Sequence, residues 1–183
     1  LFDAGVITNS VALGEAMLGR AATLEVTFDG PAMAVKIINN TGHKLPTGYA
    51  EGRRMWLEVL AWDATDALVF ASGVPTATGA IDNPQRIYEI RQGVSAEHAQ
   101  ALGRPSLAGE GFHFILNNKV FKDNRIPPRG WNEAGFTARD ILPVGAAYVE
   151  GQYWDVNAYV LPAGAVRVQV RLLYQSVSDE YLD

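Results

Sequence analysis

The residues with the widest chemical range fall in two short stretches. The first, Asn39 to Trp56, reads NNTGHKLPTGYAEGRRMW and sets an imidazole, an ammonium and two adjacent guanidinium groups among turn-forming residues. The second, Phe121 to Trp131, reads FKDNRIPPRGW and adds a carboxylate and two more arginines. His43 follows Gly42 and precedes the turn Pro46-Thr47-Gly48, an arrangement that can hold an imidazole out on a stiff loop. Such a histidine can ligate an iron atom presented by a neighbouring domain through one ring nitrogen. The alternative is that His43 and Lys44 bond the loop's own carbonyls. Arg53 or Arg54, and Arg125 with Arg129, can clamp carboxylates in a bidentate manner. Adjacent arginines at a strand start point to opposite faces, so Arg53 and Arg54 cannot both serve one ligand, and at least one is expected in a structural ion pair.

The other chemical candidates are sparser. With only His43, His98 and His113 in the chain, a three-histidine metal site would consume them all. His113 stands between Phe112 and Phe114 and reads as a half-buried strand histidine bonded to backbone, although His43, His113 and carboxylates such as Asp123 could serve a secreted metal-binding enzyme. Asp123, Asn117, Asn118 and Asn124 offer oxygens for calcium, but not at the spacing of an EF-hand loop. Trp131, Tyr153 and Trp154, if exposed, could stack on sugars in a carbohydrate or adhesion module. The sequence holds no GxSxG, HExxH or phosphate loop, and Gly73 to Gly79 lacks the spacing of a dinucleotide fingerprint. An enzyme acting by itself is therefore disfavoured.

Composition bounds the scaffold. The chain has 183 residues, 48% apolar and 19% charged, with 18 glycines and 9 prolines, which suits a turn-rich globular protein. A net charge of -5 argues against a nucleic-acid surface. There is no run of about 18 apolar residues of the kind a membrane helix needs. The absence of cysteine removes disulfides, thiolate chemistry and the CxxCH attachment of covalent haem. The chain begins at Leu1, as expected of a processed product or of a chain whose true beginning is missing.

Periodicity then supplies the elements that carry the two stretches. Val11, Leu13, Met17 and Leu18 have helical spacing over Thr8 to Leu18. From Ala22 the period becomes two: Leu24, Val26 and Phe28, a turn at Asp29-Gly30-Pro31, then Met33, Val35 and Ile37. Met55 to Trp62 is apolar on both faces apart from Glu58, as a central strand would be. Leu68-Val69-Phe70, Ile87 to Ile90, Phe112 to Leu116, Ala147 to Val149 and Val166 to Leu172 complete roughly eight strands. Val74 to Pro84 reads as loop, and Gln92 to Gly111 as a surface excursion with a helical turn near Ala96 to Leu102. The expected fold is all-β: an immunoglobulin-like antiparallel sandwich with one N-terminal helix and long loops, divided as a helical segment 1–20 and a single β-sandwich domain 21–183.

Two segments carry a family resemblance. Thr41-Gly42-His43-Lys44-Leu45-Pro46-Thr47-Gly48 running on to Gly52-Arg53-Arg54-Met55-Trp56, and Lys122-Asp123-Asn124-Arg125-Ile126-Pro127-Pro128-Arg129-Gly130, resemble the haem-free C-terminal β domain of bacterial multihaem c-type cytochromes. Phe112-His113-Phe114 and Leu173-Tyr174-Gln175 are lesser echoes. In that family the haems sit on upstream CxxCH motifs, and such proteins move electrons in the periplasm or at the cell surface. The resemblance implies a detached domain or separate subunit that packs against a multihaem cytochrome. His43, Lys44, Arg53, Arg54, Arg125 and Arg129 would then face the haem side. The haem c would belong to the partner, with His43 as its possible axial ligand and Arg53 or Arg125 near its propionates.

Overall fold

The computed structural model describes residues 4–47 and 52–178. Helix α1 (Ala4–Arg20) leads into a hairpin of β1 (Ala22–Asp29) and β2 (Ala32–Asn39). Asp29 pairs with Ala32, leaving Gly30 and Pro31 as the two-residue turn, and Gly30 has φ 55°. A two-residue turn that follows the strand twist needs that left-handed conformation, which glycine adopts without a Cβ clash. The chain continues through β3 (Arg54–Trp62), β4 (Leu68–Ser72), the short pair β5 (Val74–Pro75) and β6 (Ile81–Asp82), and β7 (Ile87–Val94). After α2 (Ala96–Ala101) and a 3₁₀ turn at Pro105–Leu107 come β8 (Gly109–Glu110), β9 (Lys119–Asp123), α3 (Glu133–Thr137), β10 (Trp154–Val160) and β11 (Arg167–Gln175).

The strands form an antiparallel sandwich of the expected immunoglobulin-like kind. One sheet has the order β1-β2-β10. The other runs β11-β3-β7-β8, with β4 also on β3 and β9 also on β7. Strand β3 is central, flanked by β11 on one side and by β4 and β7 on the other, which explains its two apolar faces. Its exception, Glu58, is buried opposite Arg171 and paired with it.

The core is where the alternating residues of the two sheets meet. Met33, Val35 and Ile37 from β2 pack with Met55, Leu57, Val59 and Ala61 from β3, and with Leu45, Tyr88, Ile126, Tyr159 and Leu161. Each such aliphatic side chain contributes about 1.5–3 kcal/mol by leaving water. A polar tie crosses the sandwich beside them. Tyr88 of β7 donates its hydroxyl to Asp155 of β10 at 2.9 Å and accepts from Asn157 Nδ2 at 2.7 Å, and Arg86 pairs with the same aspartate. Burial, then the charge of Asp155, push the Tyr88 hydroxyl far up, so it stays a donor at all ordinary pH.

Several expected elements are placed differently. Phe112 to Leu116 is not a strand: the chain turns there, Leu116 N donating to His113 O at 2.6 Å, and Ile115 projects into solvent. A short apolar run without a partner strand has nothing to hold it extended. Ala147 to Val149 is irregular as well, and Val74 to Pro84 carries the β5–β6 pair instead of loop alone. The strand in fact formed near the C-terminal part is β10. Its inward positions, Asp155, Asn157 and Tyr159, are mostly polar, while Val156 and Val160 face out, so its pattern is inverted relative to a simple core strand.

Candidate functional site

The two chemically rich stretches meet. Leu45 and Ile126 exchange both backbone hydrogen bonds at 2.9 Å, so the loop after β2 and the loop after β9 cross as a one-rung ladder. Asn39, the last residue of β2 and fully buried, holds the crossing from below. Its Nδ2 donates to His43 O at 2.7 Å, Pro127 O at 2.9 Å and Ile126 O at 3.0 Å. Its Oδ1 accepts from Thr41 N and Thr41 Oγ1, both at 2.8 Å. Proline has no N–H, and Pro127-Pro128 keeps its segment extended with carbonyls available, as Asn39 requires.

Beside the crossing lies a buried ionic cluster. Lys44 Nζ donates to Asp123 Oδ2 at 2.6 Å and to Ile141 O at 2.7 Å. Arg125 grips the same carboxylate through both oxygens at 2.8 Å. The side chains of Lys44 and Asp123 are 8% and 5% exposed, so a charge left unpaired here would be costly. Burial alone would raise the Asp123 carboxyl, but the hydrogen bond and charge of Arg125, then those of Lys44, outweigh it and hold the group below its ordinary value. Burial lowers Lys44, only partly offset by Asp123.

A recess of about 900 Å³ opens over this cluster, bounded by His43, Lys44, Asp123, Arg125, Phe136 and Ile141. The segment carrying Phe136 and Ile141 is fastened by the paired backbone bonds between Asp123 and Val144, at 2.8 and 3.0 Å. His43 sits exposed at the rim. Its backbone is fixed, with the carbonyl accepting from Asn39 and Thr41, while no hydrogen bond reaches its ring from the described residues. The imidazole is an accessible ligating group of the recess, which also has the exposed Asp140 in its lining.

The remaining candidates separate into structural and peripheral groups. Lys44 and Arg125 are committed to Asp123, so neither is a free clamp for a ligand carboxylate. Arg54 is buried and bonds Gln175 Oε1 at 2.7 Å and Gly79 O at 3.0 Å. Arg53 is half-buried and donates to Thr47 O at 2.9 Å, and Arg129 lies exposed over the Tyr153 ring at 4.7 Å. His98 is on α2 and His113 is exposed on the turn that follows β8, not half-buried on a strand. Among the described residues no group of three or more His, Asp or Glu is close enough to share a metal ion.

Of the candidate calcium donors, two amide oxygens already serve the fold: Asn124 Oδ1 accepts from Glu89 N and Asn118 Oδ1 from Ser95 N. Trp131 is 3% exposed and packed edge-on against Phe136, which removes it as a sugar platform, while Tyr153 and Trp154 are half-buried against each other. The residue that sequence reading passed over is Asn39. Its signal was an asparagine two residues before Thr41-Gly42 at the end of a strand, a residue type that bonds nearby backbone by habit.

No protein-family model matches the chain, and no curated protein does. Among solved structures it is similar to a penta-heme cytochrome c552 from Thermochromatium tepidum, with a TM-score of 0.53 at 21% sequence identity. The likeness takes in 90% of this chain and 34% of that one, so the chain spans about a third of the cytochrome's length. At this identity the likeness is one of fold. The chain therefore shares its fold with part of a multihaem cytochrome while containing no cysteine for covalent attachment of haem c.

Proposed function

We propose that this chain is a non-catalytic, haem-free β-sandwich module that packs against a multihaem c-type cytochrome and supports electron transfer in the periplasm or at the cell surface. The observation that carries the reading is the fold match, in which nearly the whole chain corresponds to a minor part of a five-haem protein. The two motif loops support it, because they build one recess whose rim presents an exposed histidine on a fixed backbone.

The candidate residues differ in how they suit a haem held by the partner. His43 fits the part of an axial ligand, since its ring is accessible and its loop is anchored by Asn39 and Thr41. Arg125 does not fit the part of a propionate clamp, because its guanidinium is already bidentate on Asp123. Arg53 keeps donors beyond its bond to Thr47 O and is the less committed of the two, although it lines a neighbouring hollow and not the His43 recess. When bound, the haem iron supplies the electron-carrying couple. This chain supplies the ligand, its orientation and a cover against water.

The test is the Soret spectrum and reduction potential of the partner cytochrome with wild-type chain and with His43→Ala. The reading expects a shift of both on adding wild-type chain, and the loss of that shift with the variant. Unchanged spectra with wild-type chain under conditions where the two proteins co-elute would remove the ligand role and leave the packing role.

A further inference from the structure

Helix α1 is 17 residues long, and its six large aliphatic side chains are all exposed: Val6, Ile7, Val11, Leu13, Met17 and Leu18, each between 49% and 63%. At 3.6 residues per turn all six fall within an arc of roughly 160°. The opposite side carries Glu15, Thr8, Ala12, Ala16 and Asn9. Ser10 and Gly14, one turn apart, lie in the middle of the apolar arc and form a notch between the large side chains, and a Cβ built on Gly14 meets nothing within 4 Å. Most of a helix's stability in a protein comes from packing an amphipathic face and not from propensity, so an uncovered apolar arc calls for a packing partner.

The partner's chemistry is constrained from two directions. The arc has no basic residue, and Arg20 is the helix's single cation, so it is not the Lys- and Arg-rich helix that lies on an anionic membrane surface. The arc is also continuous with the His43 end of the sandwich. Asn40, three residues before His43, donates through its backbone to Ala21 O at 3.0 Å and through its side chain to Thr23 Oγ1 at 2.8 Å, fastening the exit of α1 to the loop. A largely apolar hollow of about 540 Å³ lies between them, bounded by Met17, Leu18, Ala21, Pro46, Met55 and Leu172.

We infer that α1 and this hollow form the apolar half of the docking surface for the haem-bearing cytochrome chain, with the Ser10–Gly14 notch receiving a closely approaching segment of that chain. The inference rests on the docking reading above and names the surface that carries its affinity. His43 then contributes specificity at the edge of the contact, and α1 contributes most of the buried apolar area.

The experiment immobilises the chain and follows retention of a purified multihaem c-type cytochrome from the same source by Soret absorbance, while light scattering reports the mass of the chain alone. The variants are Gly14→Leu, which fills the notch with a better helix former, and the pair Ile7→Glu with Leu13→Glu, which charges the arc. Each is expected to weaken capture by at least about tenfold, with the helical circular-dichroism signal of Gly14→Leu equal to or above wild type, which separates docking from folding. Equal capture by wild type and both variants overturns the assignment of α1 while leaving the docking reading intact. No capture by wild type overturns both. A dimer of the chain alone that Gly14→Leu dissolves assigns the arc to a second copy and overturns the inference as well.

Discussion

The loop crossing and α1 invert the ordinary distribution of polarity in opposite ways. At the crossing Lys44, Asp123 and Asn39 are buried, whereas on α1 six large aliphatic side chains face water. The first inversion is resolved within the chain, since each buried polar group has named partners at 2.6–3.0 Å. The second is unresolved by the described residues. A self-satisfied polar cluster gives shape, and an unsatisfied apolar surface gives an interface, so the residues that look most chemical here are the ones holding the fold.

The sharpest way to break the contrast is Asp123→Ala. It strands Lys44 and Arg125 beside a low-exposure pocket without their shared counter-ion, and breaking a buried pair costs about 3–5 kcal/mol. The loss is read as a lower urea midpoint at unchanged slope. The pH dependence has a definite sign. Asp123 is held below its ordinary 3.8 in the folded chain, so the unfolded chain binds more protons in the interval between the two values. Its stabilisation is present above about pH 4 and is lost as pH falls through the folded value, so Asp123→Ala flattens the acid limb of the stability curve. Lys44 acts in the other direction: its value is lowered from 10.5, so its charge costs stability at neutral pH and the cost lifts in alkali.

Asn39→Ala comes next, at about 2–3 kcal/mol, because it removes the donor to the buried Pro127 carbonyl and one of two donors each to the carbonyls of His43 and Ile126. If the crossing is the scaffold of the His43 rim, the same variant also raises hydrogen exchange at Leu45 N and Ile126 N, the two amides of the rung. A drop in stability with both amides still protected would separate the crossing from the hub.

Much of this architecture was legible in the chain itself, for reasons that differ by element. The β1–β2 hairpin and β3 announced themselves because their buried faces are apolar and their turn residues are those a tight turn demands. Strand β10 did not, since its inward face hydrogen-bonds through Asp155 and Asn157 and so carries no apolar period. Phe112 to Leu116 misled for the converse reason, being apolar while forming a turn and no strand. The two loops were recognisable as special, yet nothing local in either says that Leu45 will pair with Ile126 across 81 positions of chain. That pairing also decides which residues are ligands in waiting: Lys44 and Arg125 become structural through Asp123, and His43 remains exposed.

The smallest effects belong to the exposed side of the comparison. His43→Ala, at a side chain without ring partners among the described residues, is expected to change stability by less than about 0.5 kcal/mol. Gly14→Ala on α1 is the most telling of these because it raises helicity where the crossing variants lower stability. An interior helical glycine costs about 0.8–1 kcal/mol relative to alanine, and the added methyl meets nothing within 4 Å. In the isolated chain the variant therefore gains helicity by circular dichroism, with no change in the urea midpoint of the sandwich, because α1 packs so lightly on the body. A midpoint that rises with the helicity would show that α1 unfolds with the sandwich as one unit, and would place the helix on the scaffold side of the comparison.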